Sequence, residues 1–210
     1  MMGWFGFSPP AAEAIPETLE IPLFPLNTVL FPGSLLPLKI FEQRYLDMAA
    51  RCMKEGQVFG VCLIASGEES GQPEEPHPIG TLARITNWDM EQLGILMLTT
   101  RGEQRFRILK SRINDKLLEA EVEVLDDSDP TMFPPERDRL LPLLRKIVSD
   151  LGAERIPEPH RFDDAEWVGY RITEILPIQN LAKQKLLELD DPLMRLEMLE
   201  RYLDQRRLLG

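Results

Sequence analysis

Three prolines inside two short apolar runs constrain this chain more than any other feature. Ile21–Leu26 (IPLFPL) and Leu35–Ile40 (LLPLKI) have the composition of strands, yet they hold Pro22, Pro25 and Pro37. Proline has no N–H to give to a ladder, so runs of this kind are expected at the edge or rim of a sheet. Between them lies Phe31-Pro32-Gly33-Ser34, a turn in which proline presets one φ and glycine tolerates the next. Directly afterwards the period changes. Phe41, Tyr45, Met48, Ala49, Cys52 and Met53 recur at helical spacing, with Glu42, Gln43, Arg44 and Asp47 between them, which predicts an amphipathic helix.

The next hundred residues read as strands. Gln57–Ile64 is a buried run, Ile79–Trp88 and Gly94–Thr100 follow, and Asp89–Leu93 is expected to connect the latter two. Ala65–Pro78, with its glycines, prolines and four glutamates, reads as a long polar loop. Gly102 is expected to mark a turn before Gln104–Arg112, where Phe106 and Ile108 alternate with Arg105 and Arg107. After an Asn114-Asp115 turn, Leu117–Leu125 places Leu118, Ala120, Val122 and Val124 inward and Glu119, Glu121 and Glu123 outward. Arg105 and Arg107 are therefore expected to face these glutamates as cross-strand ion pairs. Strands at such spacing around one inserted helix predict a small curled sheet or open barrel.

Composition breaks at Asp126–Pro135 (DDSDPTMFPP), and the boundary is placed there. The reading is an extended tail over 1–18, a β-rich domain over 19–127 and a helical bundle over 128–210. A stripe from Leu140 to Leu151 forms the first bundle helix, with Pro142 in its opening turn. Asp163 or Asp164 caps a second helix that ends before Pro177, and Leu181–Leu189 forms a third. Asp191-Pro192 opens the last, carrying Leu193, Leu196, Leu199, Tyr202 and Leu203. The fold class is α+β, a β-rich domain followed by a helical bundle.

The formal charge is −11. Residues 1–129 hold most of it, with eleven basic against twenty acidic side chains. Such a surface repels nucleic-acid backbones and anionic lipid. Cys52 and Cys62 with two distant histidines make no zinc ligand set, and both thiols are expected reduced in the core. No apolar run approaches the roughly 18 residues of a membrane span, and the start (MMGWFGFSPPAAEA) lacks a basic leader region. The expectation is a cytoplasmic protein. Trp4, Phe5 and Phe7 stand at near-alternate positions in the tail; they suit either a disordered end or docking onto a groove, on this molecule or a neighbour.

A catalytic inventory comes back nearly empty. There is no phosphate loop, no G-x-G-x-x-G, no G-x-S-x-G elbow and no H-E-x-x-H. His77 lies between Pro76 and Pro78 and His160 follows Pro159, which suits surface turns better than a general base. Glu68-Glu69, Glu74-Glu75 and Asp163-Asp164 are explained by solvation and capping. No catalytic residue, cofactor or metal site is expected.

The assembled pattern does resemble a known family. Pro25-Leu26, Phe31-Pro32-Gly33, Ile40-Phe41-Glu42-Gln43-Arg44-Tyr45 and Gly102-Glu103-Gln104-Arg105-Phe106 in this order resemble the N-terminal, substrate-binding domain of the Lon protease family. The resemblance covers about Leu19–Leu125 and extends more loosely into AKQKLLELDDPLMRLEMLERYL. Gln92-Leu93-Gly94 stands where the family often has an Asp-Gly turn. The resemblance implies a PUA-like curled sheet with a helical end, and a standalone domain without the ATPase and Ser–Lys peptidase modules of the full protease. It implies recognition of polypeptide segments, or of a protein partner in quality control. On this reading Phe31 at the turn tip is the apolar anchor, and Gln43, Arg44 and Asp47 are the polar rim. The ordinary alternative is surface polarity and a phenylalanine folded back on the core. Two other functions stay open: RNA binding by a PUA-like sheet through Arg101, Arg105, Arg107, Lys110 and Arg112, and a hydrolase with an unfamiliar site.

Overall fold

The computed structural model describes residues 17–66, 75–92, 94–125 and 130–209. The Trp4–Phe7 aromatics, most of the polar loop and the start of the composition break lie outside the described residues. Among the described residues seven strands come first: β1 (Thr18–Leu26), β2 (Leu35–Ile40), β3 (Phe59–Ser66), the two-residue β4 (Glu75–Pro76), β5 (Ile79–Gln92), β6 (Ile95–Asn114) and β7 (Leu117–Val124). Helix α1 (Gln43–Glu55) is inserted after β2. Helices α2 (Leu140–Leu151), α3 (Ala165–Ile175), α4 (Asn180–Leu187) and α5 (Pro192–Gln205) follow the sheet.

The sheet curls until it closes. Strands pair in the order β1-β7-β6-β5-β3, and a parallel β1–β3 pair completes the ring. β1 is therefore not the rim strand its prolines predict. Its first half, Thr18–Pro22, pairs with β7, and its second half, Leu23–Leu26, pairs with β3. Each half uses one flank only, which is how a strand with two prolines fits inside the ring. β2 does take the expected position, pairing with β6 alone among the described strands.

β6 is one strand of 20 residues, where sequence suggests two strands broken at Gly102. Its first half serves β5 and β2, its second β7. Gly102 is not a turn but a point of close approach: a Cβ there would stand 2.3 Å from the Phe31 carbonyl oxygen. The β6–β7 hairpin turns at Asp115 and Lys116, whose φ values of 46° and 67° suit a tight two-residue hairpin. Gly94, at φ 83°, serves the β5–β6 hairpin.

One core cluster gathers Ile21, Leu23, Leu82, Phe106, Ala120 and Val122. Space for the Phe106 ring exists because residues 60 and 80 are glycines; a Cβ on either would meet the ring within 2.7 Å. The other main cluster of this half buries Tyr45, Met48, Ala49 and Cys52 of α1 against Phe24, Leu26, Leu38, Ile40, Leu96 and Leu98. Both cysteines are buried free thiols.

The helices form as their local signals predict. Asp164 accepts from the Glu166 and Trp167 N–H groups at 2.9 and 3.3 Å, and Asp191 from Leu193 and Met194 at 2.8 and 3.4 Å. Pro142 lies within the first turn of α2. Leu196, Leu199 and Leu203 of α5 are buried. Leu193, expected in that stripe, is 40% exposed because it sits in the helix's first turn, outside the packed face.

The helical half is seated on the β1–β2 connection. Arg171, 1% exposed, donates to the Pro32 carbonyl and to Ser34 Oγ, both at 2.7 Å, and pairs with Glu174 at 3.2 Å. Ser34 Oγ in turn donates to Glu174 at 2.9 Å. Gln184 Nε2 donates to the Ile79 carbonyl at 2.9 Å. Burial pushes the Arg171 guanidinium down from its ordinary pKa, and Glu174 opposes this.

Candidate functional site: a groove along the β2 edge

The outer flank of β2 borders a hollow of about 310 Å³. Alternation along Leu35–Ile40 builds its inner wall: Leu38 and Ile40 point to the core and Pro37 and Lys39 are exposed. The end of β1 supplies Phe24 and Leu26, and α1 supplies Tyr45. The Phe24 and Tyr45 rings pack with centroids 4.1 Å apart and form its aromatic floor. Phe41 lines the groove and remains 63% exposed. The sequence pattern assigns it to the buried helical stripe, but α1 begins two residues later and the chain turns Phe41 outward.

Lys39 and Glu42 are the charged side chains of this lining among the described residues. The groove is thus an apolar trough beside a strand edge that offers backbone groups for pairing. An extended segment laid there can add main-chain hydrogen bonds and place alternate side chains on the aromatic floor.

The sequence-named residues fall elsewhere. Phe31 is completely buried, against Tyr170 at a centroid separation of 5.7 Å and beside Leu187. The turn tip is covered by the helical half, so Phe31 is a packing residue and not an exposed anchor. Gln43 Nε2 donates to Asp47 Oδ1 at 2.7 Å on the exposed face of α1. Arg44 donates to Glu42 at 3.0 Å and to the Lys116 carbonyl at 3.1 Å, and lies 4.5 Å over the Tyr45 ring. Arg44 and Asp47 line a separate polar hollow of about 240 Å³ between α1 and the β6–β7 hairpin, with Arg51, Asn114 and Glu119. Arg44 is absent from the groove lining and meets it through two lining residues, Glu42 and Tyr45.

The basic set of β6 is largely committed to neighbours. Arg107 pairs with Glu123 at 2.8 Å, as the alternation predicts, and Lys110 with Glu121 at 3.6 Å. Arg112 holds Glu20 at 2.9 Å and Glu119 at 3.4 Å. The hydrogen bond and charge of Arg112 hold the Glu20 carboxyl below its ordinary pKa. Arg105 departs from expectation. It is 2% exposed and donates to the Leu187 and Leu189 carbonyls at 2.9 and 3.2 Å, pairing with Asp190 at 3.1 Å. These are carbonyls at the end of α4, where a cation is favoured.

The histidines are built into the structure too. His77 Nδ1 lies 3.7 Å from Glu188, and His160 packs with Phe162 and Trp167 at centroid separations of 5.9 Å.

Comparison with known proteins decides the family. Residues 20–205 match the model of the ATP-dependent protease La (LON) substrate-binding domain. The chain belongs to the LON substrate-binding domain family. A Lon N-terminal domain protein from Xanthomonas campestris has a crystal structure that matches with TM-score 0.74 and 36% identity, covering 88% of this chain and 98% of that one. The N-terminal domain of the Mycobacterium avium complex Lon protease shares the fold, with TM-score 0.61 at 19% identity over 89% and 97%. The Lon protease of Cytophaga hutchinsonii is 25% identical over 92% of this chain. That of Dictyoglomus thermophilum is 27% identical over 91%. The chain spans about a quarter of the length of each of these two proteases. The β2 groove lies within the matched residues. Its one sequence signal is β2's buried–exposed alternation with proline outward; nothing local marks Phe41 as exposed.

Proposed function

We propose that this protein is a non-catalytic module that holds extended, apolar polypeptide segments in the β2 groove. The observation that carries the reading is the coincidence of an unpaired strand edge with an aromatic-floored trough in a LON substrate-binding domain. Segments with apolar residues at alternate positions fit it, and such segments are exposed in unfolded or damaged protein. That supports a place in protein quality control, in the cytoplasm. The pairing of Arg107, Lys110 and Arg112 with glutamates, and the burial of Arg105, favour polypeptide over RNA.

The test is photo-cross-linking with a nine-residue apolar peptide carrying a central benzophenone, mapped by mass spectrometry. Cross-links are expected on Pro37–Tyr45 and the end of β1. Cross-links confined to other surfaces would remove the groove assignment. Tight, steeply salt-dependent capture of structured RNA would favour the nucleic-acid reading instead. Peptide cleavage by the pure protein would overturn the non-catalytic one.

A further inference from the structure

We infer that Lys39 makes the β2 groove selective for extended segments that carry one acidic side chain between apolar ones. The inference rests on the reading of the β2 groove as the binding site and adds the charge of the segment it takes.

The alternation of β2 sorts the side chains of whatever strand is added to it. Leu38 and Ile40 are buried, and Pro37 and Lys39 are exposed. Side chains directly opposite one another in a ladder share a face. Residues opposite Leu38 and Ile40 therefore turn toward the Phe24–Tyr45 floor, and the residue between them stands beside Lys39.

The Lys39 ammonium is uncommitted. Glu42, the other charged residue of this lining among the described residues, is held by Arg44 at 3.0 Å. Among the described residues no carboxylate pairs with Lys39. The row through Lys39 passes Met97 on β6 to reach Asp89 on β5, two strand spacings or about 10 Å away. Asp89 Oδ1 accepts the Met90 N–H at 2.8 Å. The β6–β7 pair shows the same arrangement completed. Arg107 and Lys110 each stand opposite the glutamate they bind, Glu123 at 2.8 Å and Glu121 at 3.6 Å. β2 presents the cationic half of such a pair on an edge, and an incoming strand can bring the other half. At that position an opposite charge strengthens pairing and a like charge weakens it.

The sign of the preference separates Lys39 from the bulk charge. A chain of net charge −11 attracts a cationic peptide and repels an acidic one. At about 0.15 M salt that field is screened beyond about 8 Å, whereas directly opposed Cβ atoms lie only about 5 Å apart. A preference for acid is therefore local.

The test is fluorescence anisotropy at about 0.15 M salt with a nine-residue peptide, amidated at its C-terminus and carrying an uncharged fluorophore at its N-terminus. Leucine fills the even positions and threonine the odd ones, except the central position, which is glutamate, glutamine or lysine. The parent chain is expected to bind the glutamate peptide about threefold more tightly than the glutamine peptide, and the lysine peptide about threefold more weakly. Lys39→Gln is expected to level the three and Lys39→Glu to reverse their order. Lys39 is exposed, so both variants keep the parent's urea midpoint. Equal affinities in the parent, or an order that Lys39→Glu leaves in place, overturn the inference while the groove reading stands. Binding of none of the three overturns the groove reading and the inference with it. A parent chain that sediments as a dimer split by Phe41→Asp gives the edge to a second copy and overturns the inference too.

Discussion

Gly102 shows how one side chain's absence sets a junction. The Phe31 carbonyl lies where a Cβ would be, and the Gly102 backbone exchanges hydrogen bonds with Gly33 and Ser34 at 2.8 and 2.9 Å. Gly102→Ala is expected to destabilise the protein by about 1–3 kcal/mol through overpacking, read as a lower urea midpoint with unchanged slope. At the same scale, burial pushes the Cys52 thiol up to about 11, and that of the fully enclosed Cys62 higher still. Thiolate is the reactive form. Neither cysteine is therefore expected to react with a thiol reagent at pH 8 in the native state, and both should react once urea unfolds the chain. A fast-reacting thiol in native protein would contradict the packing around α1.

Among elements, β2 and the residue after it build the proposed groove. Leu38 and Ile40 anchor the strand in the core, so the strand holds its edge in place while Phe41 stays at the mouth. Phe41→Asp is expected to weaken apolar-peptide binding about tenfold, equivalent to about 1.4 kcal/mol, while thermal stability stays within error. Equal affinity would place the peptide elsewhere. How much of this element was legible in sequence divides cleanly. The alternation of β2, the edge status that Pro37 implies, and the helical period of α1 are all local patterns. Phe41 fits the helical period as well as Tyr45 does, and only the start of α1 at Gln43 separates them. β1 misleads for a related reason. Its prolines predict an edge, and no local pattern records that its two halves change partners.

For the whole molecule, the helices and the barrel share a polar, largely buried seam, and pH acts on it through Glu188. Burial raises that carboxyl's pKa, but hydrogen bonds from Lys185 at 2.7 Å and Gln184 at 3.0 Å, with the charges of Lys185 and His77, hold it below its ordinary value. A group with a lowered native pKa stabilises fully above its unfolded value, about 4.3 for a glutamate, and that stabilisation is lost as pH falls through the native value. The urea midpoint is therefore expected to fall between pH 6 and pH 3, and Glu188→Gln to flatten the dependence. An unchanged slope in the variant would detach Glu188 from it.

The sequence by itself determined most of the elements, the caps at Asp164 and Asp191, the buried thiols and the family, because period, turn chemistry and motif order are properties of neighbouring residues. Tertiary structure alone decided what is covered. Phe31 at a turn tip and Arg105 on an alternating strand both look outward locally, yet Tyr170 and Leu187 bury the first and the end of α4 claims the second. Exposure is a contest between residues more than eighty positions apart, and no local window contains both sides of it.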